Sequence, residues 1–251
     1  MKILNLLRKE TSKVKTIAIV LAAGKGNRMK SDVPKQYMEL EGYPILYYSL
    51  KAFEESFVDE IILVTRENDI AYCDKELVKR YGFNKIKKIV AGGKERYQSV
   101  YAGIKAIENA DFVYIHDGAR PFLTEDILHR IQAEVEQSHA CVVGVPVKDT
   151  IKVLNHERIV KSTPDRSLLW QIQTPQTFSY NLVKSAYEGL ERMKIKTQEI
   201  TDDAMVVELV KCHPIKVVEG SYTNIKITTP EDLRIGSVII KQIMEQDHIH
   251  S

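Results

Sequence analysis

Cysteine is scarce in this 251-residue chain: Cys73, Cys141 and Cys212 stand far apart and form no C-x-x-C pair. That spacing offers neither a disulfide framework nor a thiolate zinc site, so all three are expected to be packing thiols in a reducing cytoplasm. Long apolar runs are missing as well. No stretch reaches the ~18 residues of a membrane span, and residues 1–15 (MKILNLLRKETSKVK) lack a signal-peptide core of adequate length. An excess of one charge is also absent, because 36 Lys and Arg face 34 Asp and Glu for a net charge of +2. Neither nucleic acid nor a membrane surface is an expected partner on that balance, although local basic clusters remain available to phosphorylated small molecules. The standard phosphate loops are incomplete too. G-x-x-x-x-G-K-[ST] does not occur, and Gly24-x-Gly26 would need a third glycine where Met29 stands.

What is present begins at residues 16–37 (TIAIVLAAGKGNRMKSDVPKQY). Residues 16–21 read as a buried strand that runs into Ala22-Ala23-Gly24-Lys25-Gly26. Small residues let backbone N–H groups approach an anion closely, while Lys25, Arg28 and Lys35 bring cations to the same loop. A polyphosphate suits such a loop.

The pattern then alternates. Pro44 suits a first helical position before Ile45, Leu46, Leu50 and Phe53; residues 60–65 read as a strand; Ile70, Cys73, Leu77 and Tyr81 mark a helix closed by Gly82; residues 88–91 return as strand. This is β-α-β-α-β, which predicts a mostly parallel sheet with helices on both faces and ligands at the strands' carboxyl ends. One such end carries Gly92-Gly93 and Ser99, which read either as phosphate-type donors or as a capped turn. The next, after residues 112–115, delivers His116-Asp117-Gly118-Ala119-Arg120. Asp117 is a candidate Mg²⁺ ligand, with a turn cap as the alternative, and His116 reads as a packed neighbour.

Further along, Thr124 is expected to cap a helix and residues 140–145 to form a strand. Residues 147–162 flank Asn155-His156-Glu157 as a polar hairpin, an arm that either stays in solvent or pairs with another subunit. Residues 169–178 read as a strand broken at Pro175. Asp202 and Asp203 read as helix caps, residues 215–218 as a strand, and Pro230 as the start of a last helix. The expected organisation is an N-terminal extension over 1–15, one domain over 16–246, and the arm over about 147–168.

Nine ordered segments, LAAGKGNRM, PKQY, GGKERYQS, HDGARPF, VPVKDT, TPDRSLLW, TPQTF, TDDA and NIKITTPEDL, together resemble the 2-C-methyl-D-erythritol 4-phosphate cytidylyltransferase family. Ribitol-5-phosphate cytidylyltransferases share some of these segments, but tend to carry L-A-G-G where this chain has L-A-A-G, and lack T-D-D-A. The resemblance implies a nucleotidyltransferase fold and transfer of CMP from CTP to a methylated polyol phosphate, with Mg²⁺ and a homodimer joined through the arms. It places Ala22, Ala23 and Gly24 at CTP, Gly93 and Ser99 at cytosine, and Asp117 and Gly118 near ribose and metal. Arg28 and Lys35 match transition-state stabilisers. Arg120, Thr150, Thr174, Thr201 and Lys226 match residues around the acceptor, and Arg166 matches an arginine supplied by the partner's arm. Gly118 stands where many members have Ala, and Lys94 where some have Asp. The end of the chain after its last helix points away from the fused, two-activity form. A catalytically silent nucleotide-binding regulator is the alternative of another class, against which Arg28, Lys35, Asp117 and Lys226 all speak.

Overall fold

The computed structural model describes residues 13–24, 33–193 and 200–250. In chain order its elements are β1 (Thr16–Leu21), β2 (Glu39–Leu40), β3 (Tyr43–Pro44), α1 (Ile45–Glu54), β4 (Glu60–Thr65), α2 (Ile70–Cys73), β5 (Ile86–Ala91), α3 (Arg96–Ala106), β6 (Phe112–Asp117) and α4 (Glu125–Ser138). These are followed by β7 (Ala140–Pro146), β8 (Val153–Leu154), β9 (Val160–Ser162), β10 (Trp170–Ser179), α5 (Tyr180–Arg192), α6 (Asp203–Lys211), β11 (Lys216–Glu219) and α7 (Pro230–His250).

Seven strands form one sheet in the order β11-β7-β10-β6-β1-β4-β5. Six share a direction, and β10 alone runs antiparallel, to both β6 and β7. Alternation along the strands divides the core between the two faces. Ala18, Val20, Ile61, Leu63, Tyr114 and Val143 meet α1, α2 and α4, whereas Ile17, Ile19, Ile62, Val64, Val113 and Ile115 meet α3, α5 and α6. Each such Leu or Ile contributes roughly 1.5–3 kcal/mol by leaving water. A smaller cluster, Leu40, Ile45, Phe122, Ile227 and Ile240, seats α7 beside the β2–β3 hairpin.

The expected alternation is therefore present, with four local departures. Pro44 precedes α1 as its N-cap residue rather than opening it. The segment after α2 widens into a π-helical turn over Asp74–Lys79 before Gly82 ends it at a φ of +69°. Pro175 does not end β10; the strand runs on and its register against β7 shifts between Ile172 and Gln176, which accommodates a residue with no N–H to give the ladder. Cys73 and Cys141 are buried thiols as expected, but Cys212 is exposed, in the left-handed position that closes α6. The predicted arm is a separate two-stranded pairing of β8 with β9, turning through Asn155 and Arg158.

Candidate active site

Because β1 and β6 are neighbours in parallel register, with Leu21 opposite Asp117, the loop after β1 and the last residue of β6 open side by side. The β5–α3 turn joins them at the same edge. Together they enclose a cleft of about 190 Å³ lined by Ala22, Ala23, Gly24, Lys35, Gly93, Lys94, Arg96, Ser99, Asp117 and Lys226. A larger hollow of about 460 Å³ lies behind Gly93 between α3 and α5; its charged lining is Lys105 and Glu191, without Asp117, Arg96, Lys35 or Lys226. Lys25, Gly26 and Arg28 lie outside the described residues.

The loop after β1 is tied down by its own backbone: the Ala22 N–H donates to Val64 O at 2.7 Å, and Ala22 O accepts from Gln36 Nε2 at 2.6 Å. Among the described residues nothing lies within 4 Å of where a Gly24 side chain would start. Lys35 is carried on a single 3₁₀ turn, Lys35–Tyr37, and its Nζ donates to Ile227 O at 3.1 Å. In the β5–α3 turn the capped-turn reading of the sequence holds. Glu95 and Gln98 form a capping box, the Gly93 N–H donates to Ser99 Oγ at 3.1 Å, and the Lys94 N–H donates to Gln98 Oε1 at 2.9 Å.

Asp117 is the charge centre. Its Oδ2 accepts from Lys226 Nζ at 2.6 Å and its Oδ1 from Arg96 Nε at 3.2 Å. Burial pushes its pKa up, but Arg96, Lys226 and Arg120 more than offset this and hold it well below the usual carboxylate range. Behind it, the Asp117 N–H donates to Thr174 Oγ1 at 3.1 Å, and that hydroxyl also meets His116 Nδ1 at 3.1 Å. Thr174 is thus buried beneath Asp117. His116 is fully enclosed and its ring lies edge-on to Phe53, as a packed neighbour should. Gly118 is pinned by its N–H to Leu21 O at 2.9 Å; a Cβ there would sit 2.6 Å from Leu46 Cδ1 and 2.9 Å from Leu21 O, so this chain's packing matches glycine.

A second hollow of about 300 Å³ adjoins the first through Lys226 and is lined by Arg120, Val145, Gln171, Ile172, Gln173, Tyr222 and Asn224. Arg120 donates from Nη1 to Asn224 O at 2.8 Å, while its buried Nε has no partner among the described residues. Thr201 is exposed at the entry to α6. Thr150 and Arg166 line neither hollow; both are exposed on the arm, where Arg166 Nη1 donates to Lys148 O at 2.9 Å.

Mg²⁺ can be tested against the donor set. Among the described residues no three His, Cys, Asp or Glu side chains cluster as a metal cage, and Asp117 is a single carboxylate beside a phosphate-type loop. This fits a cation that takes one or two protein carboxylates and fills its shell with phosphate oxygens and water.

Three further residues had no functional reading in the sequence. Arg96 lies within GGKERYQS, where no local signal sets it apart. Asp203 read as a helix cap, yet Asp202 does the capping, accepting from the Met205 N–H at 2.9 Å, whereas Asp203 is fully buried against Arg96. Asn224, also fully buried, ties the Lys226 segment to Gln173 and Thr174 through Nδ2 at 3.2 and 3.1 Å.

A mostly parallel sheet whose carboxyl edge joins a small-residue loop, a glycine turn and an aspartate flanked by cations is the architecture of a nucleotidyltransferase. Residues 16–242 match the family model of IspD, 2-C-methyl-D-erythritol 4-phosphate cytidylyltransferase. The relative of that name from Lachnoclostridium phytofermentans is 50% identical over 235 residues, 94% of this chain and 99% of its own. That from Lachnospira eligens is 52% identical over 225 residues, 89% and 98% of the two chains. The crystal structure of 4-diphosphocytidyl-2C-methyl-D-erythritol synthase from Anaerococcus prevotii superposes with a TM-score of 0.80 at 32% identity, covering 91% of this chain and 96% of that one. The chain belongs to the 2-C-methyl-D-erythritol 4-phosphate cytidylyltransferase family.

Proposed function

We infer that this enzyme transfers CMP from CTP to 2-C-methyl-D-erythritol 4-phosphate, releasing pyrophosphate and 4-diphosphocytidyl-2-C-methyl-D-erythritol in non-mevalonate isoprenoid precursor synthesis. The observation that carries the reading is Lys226, shared by two adjoining hollows and bonded to Asp117, in a chain of this family. CTP takes the cleft at Ala22, Ala23, Gly24, Gly26, Gly93, Ser99, Asp117 and Gly118. The acceptor takes the second hollow, with its phosphate toward Arg120 and Lys226.

A phosphate monoester, with a second pKa near 6, is about doubly anionic at pH 7 and needs no general base. Its oxygen forms a bond to the α-phosphorus of CTP while the bond from that phosphorus to the bridging oxygen breaks, and the electron pair leaves with pyrophosphate. In-line placement and neutralisation of the developing charge supply the catalysis, the work assigned here to Arg28, Lys35 and Lys226. Mg²⁺, held by Asp117 and the nucleotide's phosphates, would supply further neutralisation. Thr150 and Arg166 act at the acceptor of a partner subunit in a homodimer, and Thr174 and Thr201 complete the acceptor side. The setting is the cytoplasm, a reading supported by three unpaired cysteines and by the absence, among the described residues, of any helix long and apolar enough to cross a membrane.

Pyrophosphate release from CTP, with methylerythritol phosphate and ribitol 5-phosphate as competing acceptors, tests this reading. Preference for the methylated acceptor and loss of activity in excess chelator are expected. Faster turnover of ribitol 5-phosphate would overturn the acceptor, and full activity in chelator would overturn the metal.

A further inference from the structure

Asp117 is gripped from two sides, and Lys226 accounts for only one of them. On the other, Arg96 donates from Nε to Asp117 Oδ1 at 3.2 Å and turns its far edge to Asp203, with Nη1 to Oδ1 at 2.9 Å and Nη2 to Oδ2 at 2.8 Å. That is a two-point pairing of planar groups, which fixes orientation as well as distance. Asp203 is itself immobilised. It is fully buried, its Oδ1 accepts from the Tyr187 hydroxyl at 2.5 Å, and its backbone N–H donates to Gln176 Oε1 at 2.9 Å. A guanidinium on an ordinary surface would wander among solvent and partners, but this one is braced by a carboxylate that cannot move. The rigid line Tyr187–Asp203–Arg96–Asp117 therefore runs from the core of α5 and α6 to the mouth of the nucleotide cleft.

We propose that Arg96 is a positioning residue for Asp117, and that Asp203 with Tyr187 holds Arg96 for that purpose. With Lys226 as its sole partner, the Asp117 carboxylate could rotate to follow one flexible ammonium. A second donor on the opposite oxygen fixes the plane in which the carboxylate meets the nucleotide. Only arginine serves here, since a lysine's point charge cannot span Asp117 and the Asp203 fork together. The inference rests on the assignment of Asp117 to the nucleotide cleft.

Removing Arg96 alone would strand the buried Asp203 charge and endanger the fold. The test therefore pairs Arg96→Lys, which keeps a cation, with the double variant Arg96→Gln/Asp203→Asn, which removes both charges together. Three quantities are read for each: the Kd for CTP by calorimetry, kcat and KM for both substrates, and the urea unfolding midpoint. CTP binding weakened by about tenfold or more in both variants, with KM for the acceptor within about twofold of wild type, is the expected result for a lost positioning contact. Folded variants that bind CTP and turn over like wild type would overturn the proposal, as would losses that only track the unfolded fraction. A wild-type protein that ignores CTP, or an Asp117→Asn protein that binds it normally, would instead defeat the site assignment beneath it.

Discussion

His116 shows how much of the site is set by single residues that never meet a substrate. A carbonyl oxygen can only accept, so the contact of His116 Nε2 with Arg120 O at 3.1 Å places the ring proton on Nε2. Nδ1 is then left to accept from the Thr174 hydroxyl, whose oxygen in turn accepts the Asp117 N–H. Burial above all lowers the His116 pKa to about 4; the hydrogen bond to Arg120 O and the Asp117 charge oppose the fall, and the Arg120 guanidinium adds a smaller push downward. Between pH 6.5 and 4 the unfolded chain thus binds a proton that the folded chain refuses. The stability from neutral His116 is complete above pH 6.5 and is lost as pH falls through that window. Unfolding free energies from urea titration should drop by about 2 kcal/mol more between pH 7 and 5 in wild type than in His116→Gln; equal drops would refute the assignment. Lys35 belongs to the same scale. Its Nζ lies on Ile227 O beside the cleft, and Lys35→Ala should lower kcat by at least ~10²-fold, as loss of a transition-state donor does, while circular dichroism and urea unfolding stay close to wild type.

At the scale of elements, the site depends on how closely α3 can lie against the sheet, because α3 carries Arg96 and Ser99 at its first turns. Gly103 faces β1 and β4: a Cβ there would stand 2.6 Å from Ile19 Cγ2 and 3.2 Å from Val64 Cγ2, both of them fully buried. Gly103→Ala should cost about 1–3 kcal/mol by overpacking, read from the unfolding midpoint, and should raise KM for CTP as the helix moves away. An unchanged midpoint would mean that the helix has room to spare. This scale was the most legible in the sequence. Strand and helix periods are local, so β1, β4, β6, α4 and the loops at their carboxyl ends could be read from residues 16–145 alone. What could not be read was long-range or antiparallel. Nothing near Pro175 announces that β10 runs against its neighbours and continues past the proline. Arg96 and Asp203 are 107 positions apart, and an Asp-Asp pair before a helix has a sufficient local explanation in capping, which Asp202 alone fulfils.

For the whole molecule, the arm poses a question that the domain does not answer. Among the described residues β8 and β9 pair only with each other, and around them Leu154, Ile159, Val160, Leu168 and Trp170 are exposed, Leu168 keeping 79% of its surface. Large apolar groups gathered on a projecting two-stranded piece favour an interface, and in a two-fold dimer each arm would reach its partner reciprocally. The same arm bears Thr150 and Arg166, which line neither hollow of their own domain. Arg166→Ala and Lys35→Ala should each be nearly inactive alone, since one lacks a group given to the partner's site and the other a group kept in its own. After mixing and subunit exchange, half of the dimers are mixed, and each of these has one site holding both wild-type groups and one holding neither. Activity should then return to about a quarter of the wild-type level for random exchange between equal amounts. Native mass spectrometry can verify the mixed dimer in the same sample. A verified mixed dimer without recovery, or a monomer that is fully active at assay concentration, would place Arg166 back in its own subunit and leave the exposed apolar arm without this role.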